Sequence, residues 1–359
     1  MSRLKPDARI LIVKFNAIGD VVMTTPAIRD LRAAYPQAHI ALLVGAWSAP
    51  VIRQNPHLDE IIEFDQQMFV ERRWLDLAKL VFALRRRRFD AAVIFHALRP
   101  IHLFITLCGI PRRFGLSRGA GPSFLTKSVP ENLGLSRYYA ANYQEVTELA
   151  GAVSGPVTPE VHSSAEDARE AARIVAERGL RAGESYLVVA PGGGRNPRED
   201  MAARRWPKEK FAEVLLDLLR DRPELRIVLS GAASDREETG FLAARIPGAI
   251  DLTGLVSLPV LFEVIRGAKA VVCNDSSALH IGIACGKPVV APFGPTAARQ
   301  RLPEWALPYA WQSDLPCSPC YASGGAHFPG CGIGYRCMQD TGIAQIRPRL
   351  DRALGQTSI

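Results

Sequence analysis

Residues 271–296, VVCNDSSALHIGIACGKPVVAPFGPT, gather the side chains best suited to bind an anionic ligand. Residues 271–273 are a short apolar run of buried-strand type, and Asn274-Asp275-Ser276-Ser277 interrupts it with residues that cap helices. Residues 278–285 then read as a helix closed by Gly286. A strand that feeds a helix through a short polar loop leaves unpartnered N–H groups at the positive end of the helix dipole, which is an anion site. Ser276 and Ser277 can donate to a phosphate there. Asp275 would repel a phosphate but could accept from a hydroxyl or amine. His280, about one turn into the helix, could approach the same ligand. On residue types alone a plainer account stays open, in which Asp275 or Ser276 only caps the helix and His280 belongs to the core.

Two further strand-to-loop junctions could carry chemistry. Residues 185–190 (SYLVVA) form a strand that runs into Pro191, Gly192, Gly193 and Gly194. Glycine lets a backbone approach a phosphate closely, although glycine runs also occur in plain loops. Near the start, residues 9–15 (RILIVKF) are a strong strand. The turn over residues 16–20 (NAIGD) sets Asp20 at its carboxyl end, where open α/β sheets bind ligands. On residue types alone Asp20 reads first as a helix N-cap. A dinucleotide site would need G-x-G-x-x-G here and an acid near the end of the next strand. Only Gly19 is present and that strand ends at Gly45-Ala46, which excludes a nicotinamide-dinucleotide enzyme.

Strands and helices alternate around these junctions. Residues 38–44, 61–64 and 90–95 read as strands and residues 21–35 and 73–88 as helices. Residues 110–155 are less regular: residues 115–129 (GLSRGAGPSFLTKSV) read as loops and residues 138–153 as a helix. Arg113, Arg118 and Lys127 there could meet an anionic acceptor, with solvated surface charge as the default. Residues 151–164, rich in Pro, Ser and Gly, form the expected linker. The second half continues the alternation, with strands over 226–230 and 250–252 and helices over 165–178, 206–220, 235–245 and 258–267. The pattern indicates parallel βαβ units, without an internal sequence repeat.

The run DSSALHI followed by GKPVVAPFGPT resembles the donor-site signature of the bacterial heptosyltransferases, glycosyltransferase family 9. The family's usual form is Asp-Thr/Ser-Gly-x-x-His-Leu/Ile-Ala, then Gly-x-Pro-Val-Val-x-Leu-Phe-Gly-Pro-Thr. Ser277 stands where the family has Gly, and Gly282 where it has Ala. NAIGDVVMTTPA is similar to the family's x-x-x-Gly-Asp-Val-x-x-Thr-x-Pro-Ala. PGG and the later RRWP resemble His/Asn-Pro-Gly-x and Lys-x-Trp-Pro, with Arg204 in the lysine's place and GRNPREDMAA lengthening the loop between them. Arginine keeps the charge and can chelate two phosphate oxygens.

The resemblance implies an α/β fold of GT-B architecture, two Rossmann-like parallel-sheet domains facing a central cleft. The acceptor domain would span residues 1–155 and the donor domain 165–340, with a helix over 341–359 crossing back to the first domain. The implied reaction is inverting transfer of a heptose from ADP-heptose to the lipopolysaccharide inner core, without metal or other cofactor. Asp20 would be the general base, and Gly193, Arg204, Asp235, Asp275, Ser276, Ser277 and His280 would bind the donor. Asp235, four residues beyond Gly231, takes the place of an acid that contacts the donor's ribose or base. A related GT-B enzyme with another nucleotide sugar or acceptor, and a non-catalytic sugar-nucleotide-binding relative, are the alternatives.

Bulk properties agree with an anionic partner. The chain has 359 residues, room for two domains, and 48% hydrophobic residues, which excludes global disorder. A net charge of +8 favours nucleotides or an anionic membrane surface. Aromatics are only 8% and no RRM or zinc-finger pattern is present, so no nucleic-acid partner is expected. No apolar run is long enough to span a bilayer, and the N-terminal residues read as a first strand and not as a signal peptide. The expected location is the cytoplasm, peripheral on the inner face of the inner membrane.

Cys317 and Cys320, then ten residues, Cys331, five residues and Cys337, are grouped as four thiols that could hold zinc. Reduced loop thiols are the other account, and disulfides are disfavoured in a reducing compartment. Cys108, Cys273 and Cys285 lie in apolar runs and read as core.

Overall fold

Runs of aliphatic residues too short for helices become central strands buried on both faces. The computed structural model describes residues 3–119, 124–193, 195–196, 199–321 and 330–355. Two compact units are present: Met1–Asn132 with Tyr139–Pro159, and Leu133–Tyr138 with Glu160–Ile359.

The first unit contains β1 (Arg9–Val13), β2 (His39–Gly45), β3 (Glu60–Phe64), β4 (Ala91–Ile94), β5 (Arg112–Ser117) and β6 (Lys127–Pro130). They form a parallel sheet in the order β3-β2-β1-β4-β5-β6. The strand order reverses direction between β1 and β4, and such a switch point opens a crevice at the carboxyl ends of the strands. The helices Trp74–Arg86 and Arg99–Leu107 cover one face. Their Leu84, Ile101, Phe104 and Ile105 share a core with Leu11, Val13, Ala92 and Ile94. β5 and β6 correct the expectation of loops over residues 115–129, while the helix Ala140–Leu149 lies within the one expected over 138–153. β6 is an edge strand whose residues alternate between half-buried and exposed, and its polar composition hides the strand period. The helix expected over 21–35 is two, Ile18–Met23 and Thr25–Ala34, with Pro26 in the first turn of the second.

The second unit contains β7 (Tyr186–Ala190), β8 (Arg195–Asn196), β9 (Glu199–Asp200), β10 (Arg226–Leu229), β11 (Ile250–Asp251), β12 (Ala270–Cys273), β13 (Val289–Phe293) and β14 (Ala310–Gln312). β8 and β9 pair antiparallel within the loop insertion, of which residues 194, 197 and 198 lie outside the described residues. The other six form a parallel sheet in the order β11-β10-β7-β12-β13-β14. This is the permutation of the first sheet, with its switch point between β7 and β12.

Gly282 is fixed by packing. A Cβ there would lie 2.7 Å from Val289 Cγ2, so glycine, where the family has alanine, lets the helix Ser277–Ala284 approach β13 closely. The helix Ile343–Gly355 buries Ile346, Leu350 and Ala353 in the second unit's core with Phe211, Leu215 and Val290. That spacing is one helical stripe, and the second sheet uses it. Gln300 Nε2 donates to the carbonyls of Leu133 and Gly134 at 2.9 and 3.2 Å, which ties residues 133–138 to the second unit.

Candidate functional site

In the first unit, the turn after β1 carries Asp20 in the first turn of the helix Ile18–Met23. Ala17 is the N-cap residue, so capping does not account for the Asp20 carboxylate. Its Oδ2 lies 3.2 Å from Lys14 Nζ, with the Lys14 side chain 6% exposed and that of Asp20 34%. The Lys14 ammonium also sits 5.2 Å from the centroid of the Tyr143 ring, a cation–π distance. Nearby, Glu131 accepts from the Tyr139 hydroxyl and from Arg118. Burial, and then the charges of Glu131 and Asp20, push Tyr139 well above the ordinary phenol range, so it is a neutral donor. Two of the three basic residues considered for an acceptor are engaged in scaffold contacts. Arg118 pairs with Glu131, and Arg113 Nε donates to the Phe124 carbonyl at 2.6 Å. Lys127 lies on the edge strand β6.

In the second unit, three loops converge at the switch point. Asn274, just past β12, joins them: its Nδ2 donates to the carbonyls of Pro191 and Gly192 at 2.7 and 3.0 Å, and its Oδ1 accepts from Trp206 N at 2.9 Å. Trp206 is almost fully buried, and its indole N–H donates to the Thr341 carbonyl at 2.9 Å. Gly193 adopts φ +92°, and a Cβ there would lie 2.5 Å from Ser276 Cβ. The loop backbone therefore lies directly on the start of the helix Ser277–Ala284, an approach that only glycine permits. Ser276 is that helix's N-cap residue but makes no side-chain cap bond, and Ser276, Ser277 and Ala278 are half-exposed. Two serine hydroxyls and the first-turn N–H groups are thus grouped at the positive end of the helix, an arrangement suited to phosphate oxygens.

Asp275 is 2% exposed. Its Oδ2 accepts from Thr296 Oγ1 at 2.8 Å and lies 3.5 Å from Arg204 Nη1 and 3.7 Å from Arg301 Nε. Burial alone would raise its pKa, but Arg301, Arg204, His280 and the Thr296 hydrogen bond outweigh that and hold it below the usual carboxylate range. It is an ionised anchor for two guanidinium groups. Asp235 is also buried. Its Oδ1 accepts from Gly193 N at 3.2 Å and its Oδ2 from Ala232 N at 2.8 Å, so it braces the glycine loop from the β10 side. His280 is 4% exposed and close enough to act on the charge of Asp275.

The second unit thus brings together Gly193, Arg204, Asp235, Asp275, Ser276, Ser277 and His280, whereas Asp20 belongs to the first. Lys14, Thr296 and Arg301 were missed. Thr296 lay inside the FGPT run; Arg301 carried no signal, because only the turn after β13 returns it to Asp275. All seven cysteines are free, and among the described residues no three His, Cys, Asp or Glu side chains are placed to hold a metal ion. No helix among those residues is long and apolar enough to cross a membrane.

Known proteins share these features. The family model described as glycosyltransferase family 9 (heptosyltransferase) matches residues 77–324, well over half of the chain. Lipopolysaccharide heptosyltransferase 2 of Escherichia coli K12 is 28% identical over 306 residues, covering 80% of this chain and 83% of that one. The family 9 glycosyltransferase structure from Veillonella parvula superposes with a TM-score of 0.81 at 21% identity, over 98% of this chain and 99% of that one. The E. coli ADP-heptose LPS heptosyltransferase II structure gives a TM-score of 0.71 at 21% identity, over 96% and 98% of the two chains. These structural likenesses establish the α/β GT-B class of fold, and with the family match they show that the chain belongs to glycosyltransferase family 9, the heptosyltransferases.

Proposed function

We propose that the protein transfers a heptose from ADP-heptose to the lipopolysaccharide inner core, with inversion at the anomeric carbon. The observation that carries this reading is the contact of Gly193 with Ser276, beside Arg204 and Arg301 on their buried Asp275 anchor. A nucleotide diphosphate needs bare backbone, a helix N-terminus and fixed cations, and this loop cluster offers all three. The relative whose name includes ADP-heptose supports the choice of donor.

In this reading Asp20 takes the proton from the acceptor hydroxyl as its oxygen attacks the anomeric carbon. The C–O bond to the diphosphate breaks in the same displacement, and ADP leaves. Arg204, Arg301, Ser276, Ser277 and the helix dipole stabilise the negative charge that grows on the leaving group. His280 contacts the same phosphates or a neighbouring sugar hydroxyl. These fixed cations supply the charge compensation a metal would otherwise give, so turnover is expected to survive exhaustive chelation. Activity lost on chelation and restored by magnesium or manganese would refute that part. The acceptor is lipid-borne, which places the enzyme at the inner face of the inner membrane by peripheral contact.

A thermal-shift panel of ADP, UDP and GDP tests the donor. ADP should raise the melting temperature most, because a ligand that binds only the folded state stabilises it. Preference for UDP or GDP would assign another nucleotide sugar.

A further inference from the structure

We propose that the outward faces of the helices Trp74–Arg86 and Arg99–Leu107 form a docking surface for an anionic phospholipid bilayer. The inference rests on the reading above that the acceptor is lipid-borne, and it names the surface that reading leaves unspecified.

The first helix has two apolar sides. Leu84 is buried in the core of the first unit and Leu77, Leu80 and Val81 pack against it. On the other side Trp74 is 70%, Leu75 78% and Phe82 61% exposed. A helix lying on a soluble protein normally turns polar residues to water, and this one turns its largest apolar groups there. The second helix buries Ile101, Phe104 and Ile105 in the same core, so both helices lie on one face of the sheet and their outer sides look the same way. Leu103 and Leu107, one helical turn apart, stand exposed on it. Half of the large apolar side chains well exposed among the described residues fall between residues 70 and 107.

Charge selects the occupant. Residues 71–88 contain seven basic and two acidic side chains. Of the two acids, Asp76 is taken by Arg73 at 2.6 Å. Arg87 is committed to Glu60, whereas Arg86 lies 5.6 Å from the Phe82 ring centroid, within the exposed apolar group. Arg85 rests against Gly109, just past the second helix, so the basic group reaches both helices. Exposed tryptophan, phenylalanine and leucine rimmed by arginine suit the boundary between acyl chains and anionic headgroups. Connecting β3 to β4, the first helix starts at the carboxyl edge of the sheet, so Trp74 lies at the edge that carries Asp20. A bilayer on this face would bring a membrane-held acceptor to the side of the first unit where its proposed base stands.

The test is co-sedimentation of the full-length protein with vesicles of phosphatidylcholine alone and of phosphatidylcholine mixed with phosphatidylglycerol. Binding is expected to the mixed vesicles and to weaken steeply with salt. Leu75→Ser with Phe82→Ser should lower partitioning on the order of 10-fold or more while the melting temperature and the response to ADP stay as in the parent. Lipids brominated in the acyl chain should quench the parent's fluorescence and quench the Trp74→Phe variant less. Unchanged binding of the folded Leu75/Phe82 variant, or equal quenching of the Trp74 variant, would overturn the proposal. So would a lipid-free dimer that the same substitutions dissociate, which would make the face a site for a second copy. A parent protein that responds to ADP but binds neither vesicle sinks this surface alone; a parent that binds the mixed vesicles but does not respond to ADP sinks the donor assignment and leaves the vesicle result standing.

Discussion

Lys14 and Asp20 form an ion pair of 3.2 Å across the turn that follows β1, with the lysine buried and the aspartate reaching water. The lysine holds one carboxylate oxygen, so in the proposed reaction the pair would be a positioned base and its mount.

Asp20→Asn keeps the size and removes the base, so kcat should fall on the order of 10²-fold or more with ADP affinity unchanged. Lys14→Met should cost less, roughly 10-fold in kcat, through loss of orientation. The double variant should be no slower than Asp20→Asn, because the two groups act as a unit. Steady-state kinetics beside ADP titration checks all three. Normal turnover by folded Asp20→Asn would refute the mechanism.

Arg204→Ala should weaken ADP binding by roughly 1.5–3 kcal/mol, the scale of a charge-assisted hydrogen bond, and slow turnover as well. Arg301→Ala should do the same, because both guanidinium groups share the Asp275 carboxylate. Calorimetric titration with ADP measures each. If Arg301→Ala leaves ADP affinity as it was, Arg301 only neutralises Asp275.

Asp275→Asn should destabilise the fold by roughly 3–5 kcal/mol at neutral pH, since it leaves buried guanidinium groups without their anion. The folded-state pKa of Asp275 lies below its ordinary 3.8. Its contribution is therefore complete above about that value and is lost as the pH falls through the lower, folded one. Urea unfolding of parent and variant across the acid range should show a stability gap that narrows only at the acid end. A gap independent of pH would mean that Asp275 carries no charge in the fold.

Thiol labelling should follow burial. Burial pushes Cys108 and Cys285 up to about 12 and Cys337 up to about 11, so near pH 8 each is almost wholly protonated and slow to alkylate. Exposed Cys317 should label first with iodoacetamide, and Cys108, Cys273 and Cys285 only in denaturant, as read by peptide mass spectrometry.

The parts legible in the sequence were those fixed by short-range pattern. The apolar runs of β1, β7 and β12 announced themselves, and the capping residues after β12 marked the start of the helix that follows. β5 and β6 did not, because Arg, Gly and Ser in β5 and Lys, Ser and Pro in the edge strand β6 leave no clean alternation. The twofold use of one strand order was invisible as well, since a parallel sheet asks only for apolar runs and not for the same residues. Arg301 and Lys14 were missed because their meaning depends on what folding sets opposite them. Asp235 was placed near the donor loop by the family resemblance, which did not say that its oxygens accept from the N–H groups of Gly193 and Ala232.

Trp206 fastens two distant parts of the chain. Its backbone N–H holds Asn274 beside the glycine loop, and its indole holds the Thr341 carbonyl, one residue away from the stretch leading into the helix Ile343–Gly355. Thr341 leads into that helix, whose Ile346, Leu350 and Ala353 lie in the core that also holds Trp206. A truncation from Thr341 onward would remove the carbonyl that holds the indole together with part of that core, so loosening of the glycine loop and loss of stability should appear together.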